Sequence, residues 1–195
     1  MNKKAICLAF SARKEGNSLK ILKYIKKILG KQAWDVQLIN FYDYNITPCS
    51  HCDYECFTGK NDKNCPINDD LKSIYKKVLN TNLVIYAIPV YGGSPASLYS
   101  IWKERAQGII KTEKDYNKLS NIQKGYIVIG NVEAGGGSAF AHILADDVNR
   151  GSSYKAMLLQ AHEYGQNSIK GNLIDLKDVQ KRITRFVTRL IKDCK

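Results

Sequence analysis

This chain lacks any apolar run able to cross a bilayer. Its first one, Ala5 to Phe10, is six residues, where a spanning helix needs about 20. No small-residue cleavage site follows a long apolar region. The expectation is a cytoplasmic protein with no membrane association, whose thiols are kept reduced. Acidic residues are also scarce, 18 against 30 basic, for a net charge of +12. That balance favours anionic small molecules such as nucleotides. It does not read as a nucleic-acid footprint, because Lys20, Lys23, Lys26 and Lys27, then Lys76 and Lys77, then Lys181, Arg182, Arg185 and Arg189 are spread over separate amphipathic segments as solvated faces.

Catalytic signatures are missing as well. With three histidines in the chain, no Ser-His-Asp or Cys-His constellation stands out, and no side chain is assigned as a catalytic nucleophile or base. His142 and Asp146, four apart, read as a surface pair on a helix. There is no G-x-G-x-x-G and no Gly-Lys-Ser/Thr phosphate loop, which excludes the dinucleotide fingerprint and the NTPase loop. No repeat, low-complexity tract or linker divides the sequence, so one domain over 1–195 is expected.

What is present is an alternation of strand and helix signals. KKAICLAF (3–10), WDVQLINF (34–41), LVIYAI (83–88, ended by Pro89), GYIVIG (125–130) and KAMLLQA (155–161) read as strands. Leu19, Leu22, Ile25 and Ile28/Leu29 recur at helical spacing before Gly30. Leu71, Ile74, Val78 and Leu79 mark a second helix that Asn68 or Asp69 could cap. ASLYSIWKERAQGI and AFAHILADDVN supply two more, and Val179, Ile183, Phe186/Val187 and Leu190/Ile191 a last one, capped by Asp175. Five strands alternating with helices predict an α/β fold, a five-stranded parallel sheet of order 2-1-3-4-5 covered on both faces.

In such a sheet a ligand lies beyond the carboxyl ends of the strands, where strand order reverses. Three loops should meet there: 11–18, 89–95 and 131–138. The first leads from a strand into a helix, whose free N–H groups attract phosphate. Ser11, Asn17 and Ser18 add donors, Arg13 and Lys14 add charge, and Gly16 permits a close turn. The second offers Pro89, Tyr91, Gly92 and Gly93, a surface for a flat aromatic ligand. The third, GNVEAGGGSAF, has three consecutive glycines that leave a ring unobstructed.

FSARKEGNS (10–18) resembles the G-S-x-R-x-x-G-N-S phosphate loop of the NAD(P)H-dependent FMN reductase family, with Phe10 at the first glycine position. PVYGGSPASLYSIWKER (89–105) resembles that family's P-V-Y-x-G-x-x-x-x-L-K-x-x-x-D-R segment, with Glu104-Arg105 for Asp-Arg. The resemblance implies a flavodoxin-like three-layer sandwich. It also implies FMN phosphate on Ser11, Arg13, Lys14, Asn17, Ser18 and Leu19. The isoalloxazine would lie between Pro89, Val90, Tyr91, Gly92 and Gly93 on one side and Asn131, Glu133, Gly135 and Gly136 on the other. It further implies NAD(P)H as electron donor, with an acceptor reduced through the flavin, and a homodimer or homotetramer whose subunits complete the pocket. A non-enzymatic carrier exchanging electrons with a ferredoxin-like partner is the alternative.

The stretch 42–67 is a cysteine-rich insertion after the second strand, far longer than the 2–6 residues usual for a strand–helix loop. Ordering it costs on the order of 1–2 kcal/mol per residue, and its Cys49-x2-Cys52-x3-Cys56-x8-Cys65-Pro66 pattern could offset that with a metal centre. Four thiolates can hold a 4Fe-4S cluster or tetrahedral zinc; free or reversibly paired thiols stay open, with His51 a possible substitute ligand. Followed by Asp69-Asp70, the segment resembles the insertion of the iron–sulfur flavoprotein branch of the same family, though its later intervals are longer. Cys7 is expected in the core and Cys194 at a frayed end.

Overall fold

The computed structural model describes residues 3–50, 52–58, 65–148 and 154–194. Its strands are β1 (Lys4–Ala9), β2 (Asp35–Asn40), β3 (Leu83–Tyr91), β4 (Ser94–Pro95), β5 (Gln123–Gly130) and β6 (Tyr154–Gln160). Its α-helices are α1 (Asn17–Gly30), α2 (Glu55–Thr58), α3 (Leu71–Val78), α4 (Ser97–Ile109), α5 (Glu113–Asn121), α6 (Glu133–Val148) and α7 (Lys177–Lys192). Five strands are parallel, in the order β2-β1-β3-β5-β6. The two-residue β4 folds back antiparallel on the end of β3 as a sixth strand. Without β4, this is the order expected from the sequence.

Period-two alternation assigns the layers. From β1, Ala5, Cys7 and Ala9 face the α1/α7 side, while Ile6, Leu8 and Phe10 face α3, α4 and α6. Phe10 does not approach a ligand as a glycine would. It fills the core between Phe41, at 4.3 Å between ring centroids, and Tyr99, at 5.3 Å edge-on. Tyr75 and Trp102 stack beside it at 3.7 Å.

Several expectations are corrected. Pro89 does not end its strand: β3 runs on to Tyr91, with Pro89 in register with Ile129 and its carbonyl accepting the Ala96 N–H at 3.0 Å. Gly92 and Gly93 both take positive φ, 55° and 76°, as a two-residue hairpin requires. The three glycines of 135–137 are not loop but the first turns of α6. They allow close packing, since a Cβ on Gly130 would stand 3.2 Å from the Gly136 Cα. α5 escaped the sequence reading because it buries nothing; Thr112 caps it by accepting the Asp115 N–H at 3.1 Å. Asp175 does not cap the last helix, which starts two residues later after Leu176. Asp69 does accept the Leu71 N–H at the start of α3, at 3.1 Å. Cys7 is in the core, but Cys194 is also buried, with its thiol aimed at the Leu190 carbonyl.

The basic residues do not stay dispersed. α1 and α7 lie side by side on one face, joined by Tyr24 Oη and Thr184 Oγ1 at 3.2 Å. Between them they carry ten lysines and arginines and one acid, Asp178. Among the described residues no helix is long and apolar enough to cross a membrane.

Candidate functional site

The phosphate-loop candidate sits where β1 hands over to α1. Ser11 is buried, and its Oγ accepts the Arg13 N–H at 3.1 Å, which starts the turn. Gly16 is extended (φ −162°), and the first helical bond is Lys20 N–H to the Gly16 carbonyl at 3.1 Å. The amides of Asn17, Ser18 and Leu19 therefore have no helical acceptor and open toward the loop. Glu15, the one acid here, pairs with Lys23 at 2.9 Å, and its pKa is lowered by that hydrogen bond first and by the lysine's charge second. Lys14 is exposed, and its carbonyl accepts from Asn40 Nδ2 at 3.2 Å.

Two expected phosphate ligands are engaged elsewhere. Arg13 donates to the carbonyls of Ile169, at 2.8 Å, and Ser168, at 3.2 Å. Asn17 Nδ2 donates to the Ser168 carbonyl at 3.0 Å, and its Oδ1 accepts the Leu173 N–H at 3.0 Å. Asn131, expected at the ring, accepts the Ser168 N–H on its Oδ1 at 3.0 Å. So the stretch 161–173 forms a third wall that ties the phosphate loop to the end of β5. Sequence reading missed it because it has no regular element, only short 3₁₀ turns ending at Gly165 and Gly171 with positive φ. Those two glycines, with Asn167 between them, were the available turn signals.

The ring-loop candidates meet directly. A Cβ on Gly135 would lie 3.2 Å from the Gly93 Cα, so the β3–β4 turn and the first turn of α6 touch through bare backbone. Val90 pairs with Pro95 and Tyr91 with Ser94. The rim they form carries exposed Tyr91 and Val132, with exposed Ile169 on the third wall. Gly136 packs against Leu158 and Gln160, while the side chain of Glu133 lies outside the described residues, as does that of Asp146 beside exposed His142. Amide donors at a helix N-terminus, two buried serine hydroxyls and an adjacent glycine-backed rim suit a phosphorylated planar ligand.

The cysteines of the insertion line one cavity of about 270 Å³ with Glu104, Arg105 and Gly108. Cys49 and Cys52 interact directly; burial first, and Cys52 next, raise the Cys49 pKa. Cys56 and Cys65 both pack on Gly108, where a Cβ would meet them at 3.2–3.4 Å. Cys65 is held by its N–H on the Gly108 carbonyl at 2.7 Å and by Arg105 Nη2 on its Sγ at 3.4 Å. Lys111 donates to the Cys56 carbonyl. Among the described residues no three Cys, His, Asp or Glu side chains converge as ligands of one ion. His51 lies outside them. As arranged, the thiols do not fit a closed metal centre.

The other two thiols, Cys7 and Cys194, lie outside this cavity and are buried as well. Burial pushes Cys7 up to about 12 and Cys194 up to about 11 from a usual value of 9.0. Native alkylation at pH 8, read by peptide mapping, should spare both and modify Cys49, the one insertion thiol that is only partly buried. Since the unfolded chain releases these two protons near pH 9 and the folded chain holds them, stability should fall as pH rises from about 9 to 12. Urea melts of Cys7→Ala should show a shallower alkaline loss than those of the unmodified chain.

Comparison with known proteins gives consistent results. The family model described as NADPH-dependent FMN reductase matches residues 4–139. An iron–sulfur flavoprotein of Methanocaldococcus jannaschii is 26% identical over 133 residues, 68% of this chain and 65% of that one. One from Archaeoglobus fulgidus is 26% identical over 90 residues, 46% of this chain and 44% of that one. The matched regions thus span about half to two thirds of those relatives. In fold, the chain is similar to an FMN-dependent NADH-azoreductase of Bacillus anthracis solved with FMN, with a TM-score of 0.66, 12% identity, and 97% and 99% of the two chains covered. RosB, solved with 8-demethyl-8-formylriboflavin-5'-phosphate, gives 0.67 at 14% identity, covering 99% of this chain and 82% of RosB.

Proposed function

Because the chain belongs to the NADPH-dependent FMN reductase family, we propose that it is an oxidoreductase that binds FMN and passes electrons from NAD(P)H to an acceptor. The observation that carries this reading is the helix N-terminus of α1, with its unpaired amides, opening beside the Gly93–Gly135 rim. When bound, the flavin supplies the redox chemistry by accepting a hydride and releasing electrons to the acceptor. The chain's own residues bind and orient. The amides of Asn17, Ser18 and Leu19 and the hydroxyls of Ser11 and Ser18 hold the phosphate, while Lys14 adds charge from the solvent side. Arg13 and Asn17 act through the third wall: by holding Ser168 and Ile169 they keep the phosphate loop against the end of β5. The Gly92-Gly93 turn and the start of α6 present backbone to the ring, and Tyr91 stands exposed beside it. No side chain is required to take a proton.

A second reading rests on the four insertion thiols sharing one cavity. In it, Cys49, Cys52, Cys56 and Cys65 would be the ligands of a 4Fe-4S cluster or zinc, in an arrangement other than the one described above, and the protein would be a carrier exchanging electrons with a ferredoxin-like partner. Anaerobic purification with a visible spectrum and iron, sulfide and zinc analysis tests both. A flavin spectrum bleached by NADPH or NADH within one turnover supports the reductase. A protein that takes up no FMN when offered it ends the first reading, and absence of metal and sulfide ends the second.

A further inference from the structure

β6 is an edge strand: among the described residues it pairs with β5 alone, so one side of its backbone is free. Beside that free edge, α7 and β6 enclose an open groove of about 820 Å³. Its floor is apolar, made by Ala156, Met157 and Phe186. Its walls are basic, with Arg182, Arg185 and Arg189 one turn apart along α7 and Lys155 on the strand. Some of this charge is neutralised locally, by Lys155–Asp193, Lys181–Asp178 and Arg182–Glu163. Arg185 and Arg189 are exposed and have no acidic partner among the described residues.

We infer that this groove binds an extended acidic segment of a partner protein, which adds to β6 as a further strand and lays its carboxylates on Arg185 and Arg189. Three observations select that occupant. A free strand edge offers backbone N–H and C=O groups in register for a polypeptide, and nucleic acid has no use for them. The apolar floor accepts the alternate side chains of a strand, whereas phosphate binding needs only charge. A second copy of this chain would bring the same arginine row against this one, and like charges at close range oppose docking. The groove is lined by no residue of the α1 N-terminus or the ring loops, although Tyr164 at its end belongs to the 161–173 wall, so the inference does not rest on the flavin.

The probe is a fluorescein-labelled peptide, (Glu-Val)4, titrated against the full chain by anisotropy at low salt, with (Lys-Val)4 and a 12-nucleotide single strand as comparators. The expected result is binding of the acidic peptide alone. The Arg185→Glu/Arg189→Glu variant should weaken it by about tenfold or more. Amide exchange over residues 154–160 should slow in the complex. Both arginines are exposed, so the variant should keep the parent's melting curve. The inference is overturned by no binding of (Glu-Val)4 up to about 1 mM, by an oligonucleotide that binds more tightly than the peptide, or by peptide binding that leaves the 154–160 amides unprotected. A free protein that sediments as a dimer with those amides already protected overturns it too, by giving the edge to a second copy.

Discussion

Asp69→Ala should remove about 3–5 kcal/mol of folding stability, about a fifth or more of what a domain typically has. Asp69 and Arg105 form an ion pair with both side chains completely buried. Burial opposes the Arg105 charge, but the hydrogen bonds it donates to Asp69 and Cys65 outweigh that, and the guanidinium pKa is raised. Arg105 also donates to the Thr47 carbonyl at 2.9 Å. The Asp69 carboxylate in turn accepts the N–H groups of Thr47, at 2.9 Å, and Leu71, at 3.1 Å. Truncating it strands a buried cation and two amides at once. Asp70 makes a parallel clasp, accepting the Asn45 N–H at 2.8 Å while its own N–H donates to the Asn45 carbonyl. The pair of acids thus closes the two ends of the insertion onto each other and onto α4. Urea melts measure the loss, and the variant with both Asp69→Ala and Arg105→Met should recover part of it, because removing both charges of a buried pair is far cheaper than removing one. A loss under about 0.5 kcal/mol for Asp69→Ala would show that solvent reaches the pair and that the clasp is dispensable.

Asp69-Asp70 and Glu104-Arg105 were both visible in the sequence as parts of motifs, yet nothing in either motif says that one exists to neutralise the other. They are 36 residues apart, and only the packing of α3 against α4 brings them together. The same division runs through the molecule. The alternation of Ile6, Leu8 and Phe10 with Ala5, Cys7 and Ala9 is local, so layer assignment and strand order were readable. The fate of Gly135–Gly137 was not, because a glycine run looks alike whether it frees a loop or lets a helix start settle onto a strand. Arg13 has the right charge for a phosphate, but its partners, Ser168 and Ile169, are more than 150 residues away. The ten basic residues of α1 and α7 look dispersed in the sequence for the same reason: the helices are far apart along the chain and adjacent in space.

Ser18→Asp should cut FMN affinity by about a hundredfold or more. Ser18 is buried in the first turn of α1, where a carboxylate complements the helix dipole by about 0.3–1 kcal/mol. Because Ser18 is buried, desolvating the carboxylate outweighs that gain, and the flavin-free protein should melt below the parent. The same carboxylate would face the phosphate. Two unit charges about 5 Å apart at an effective dielectric near 20 repel by on the order of 3 kcal/mol, and each 1.4 kcal/mol is about tenfold in affinity. Quenching titrations with FMN and with riboflavin separate the phosphate from the ring: riboflavin has no phosphate and should bind the variant and the parent alike. Ser18→Ala, which removes only a hydroxyl donor, should cost the FMN complex about tenfold or less. Equal losses for FMN and riboflavin in Ser18→Asp would mean that the phosphate does not lie at the α1 N-terminus, and the placement of the whole cofactor would have to be abandoned.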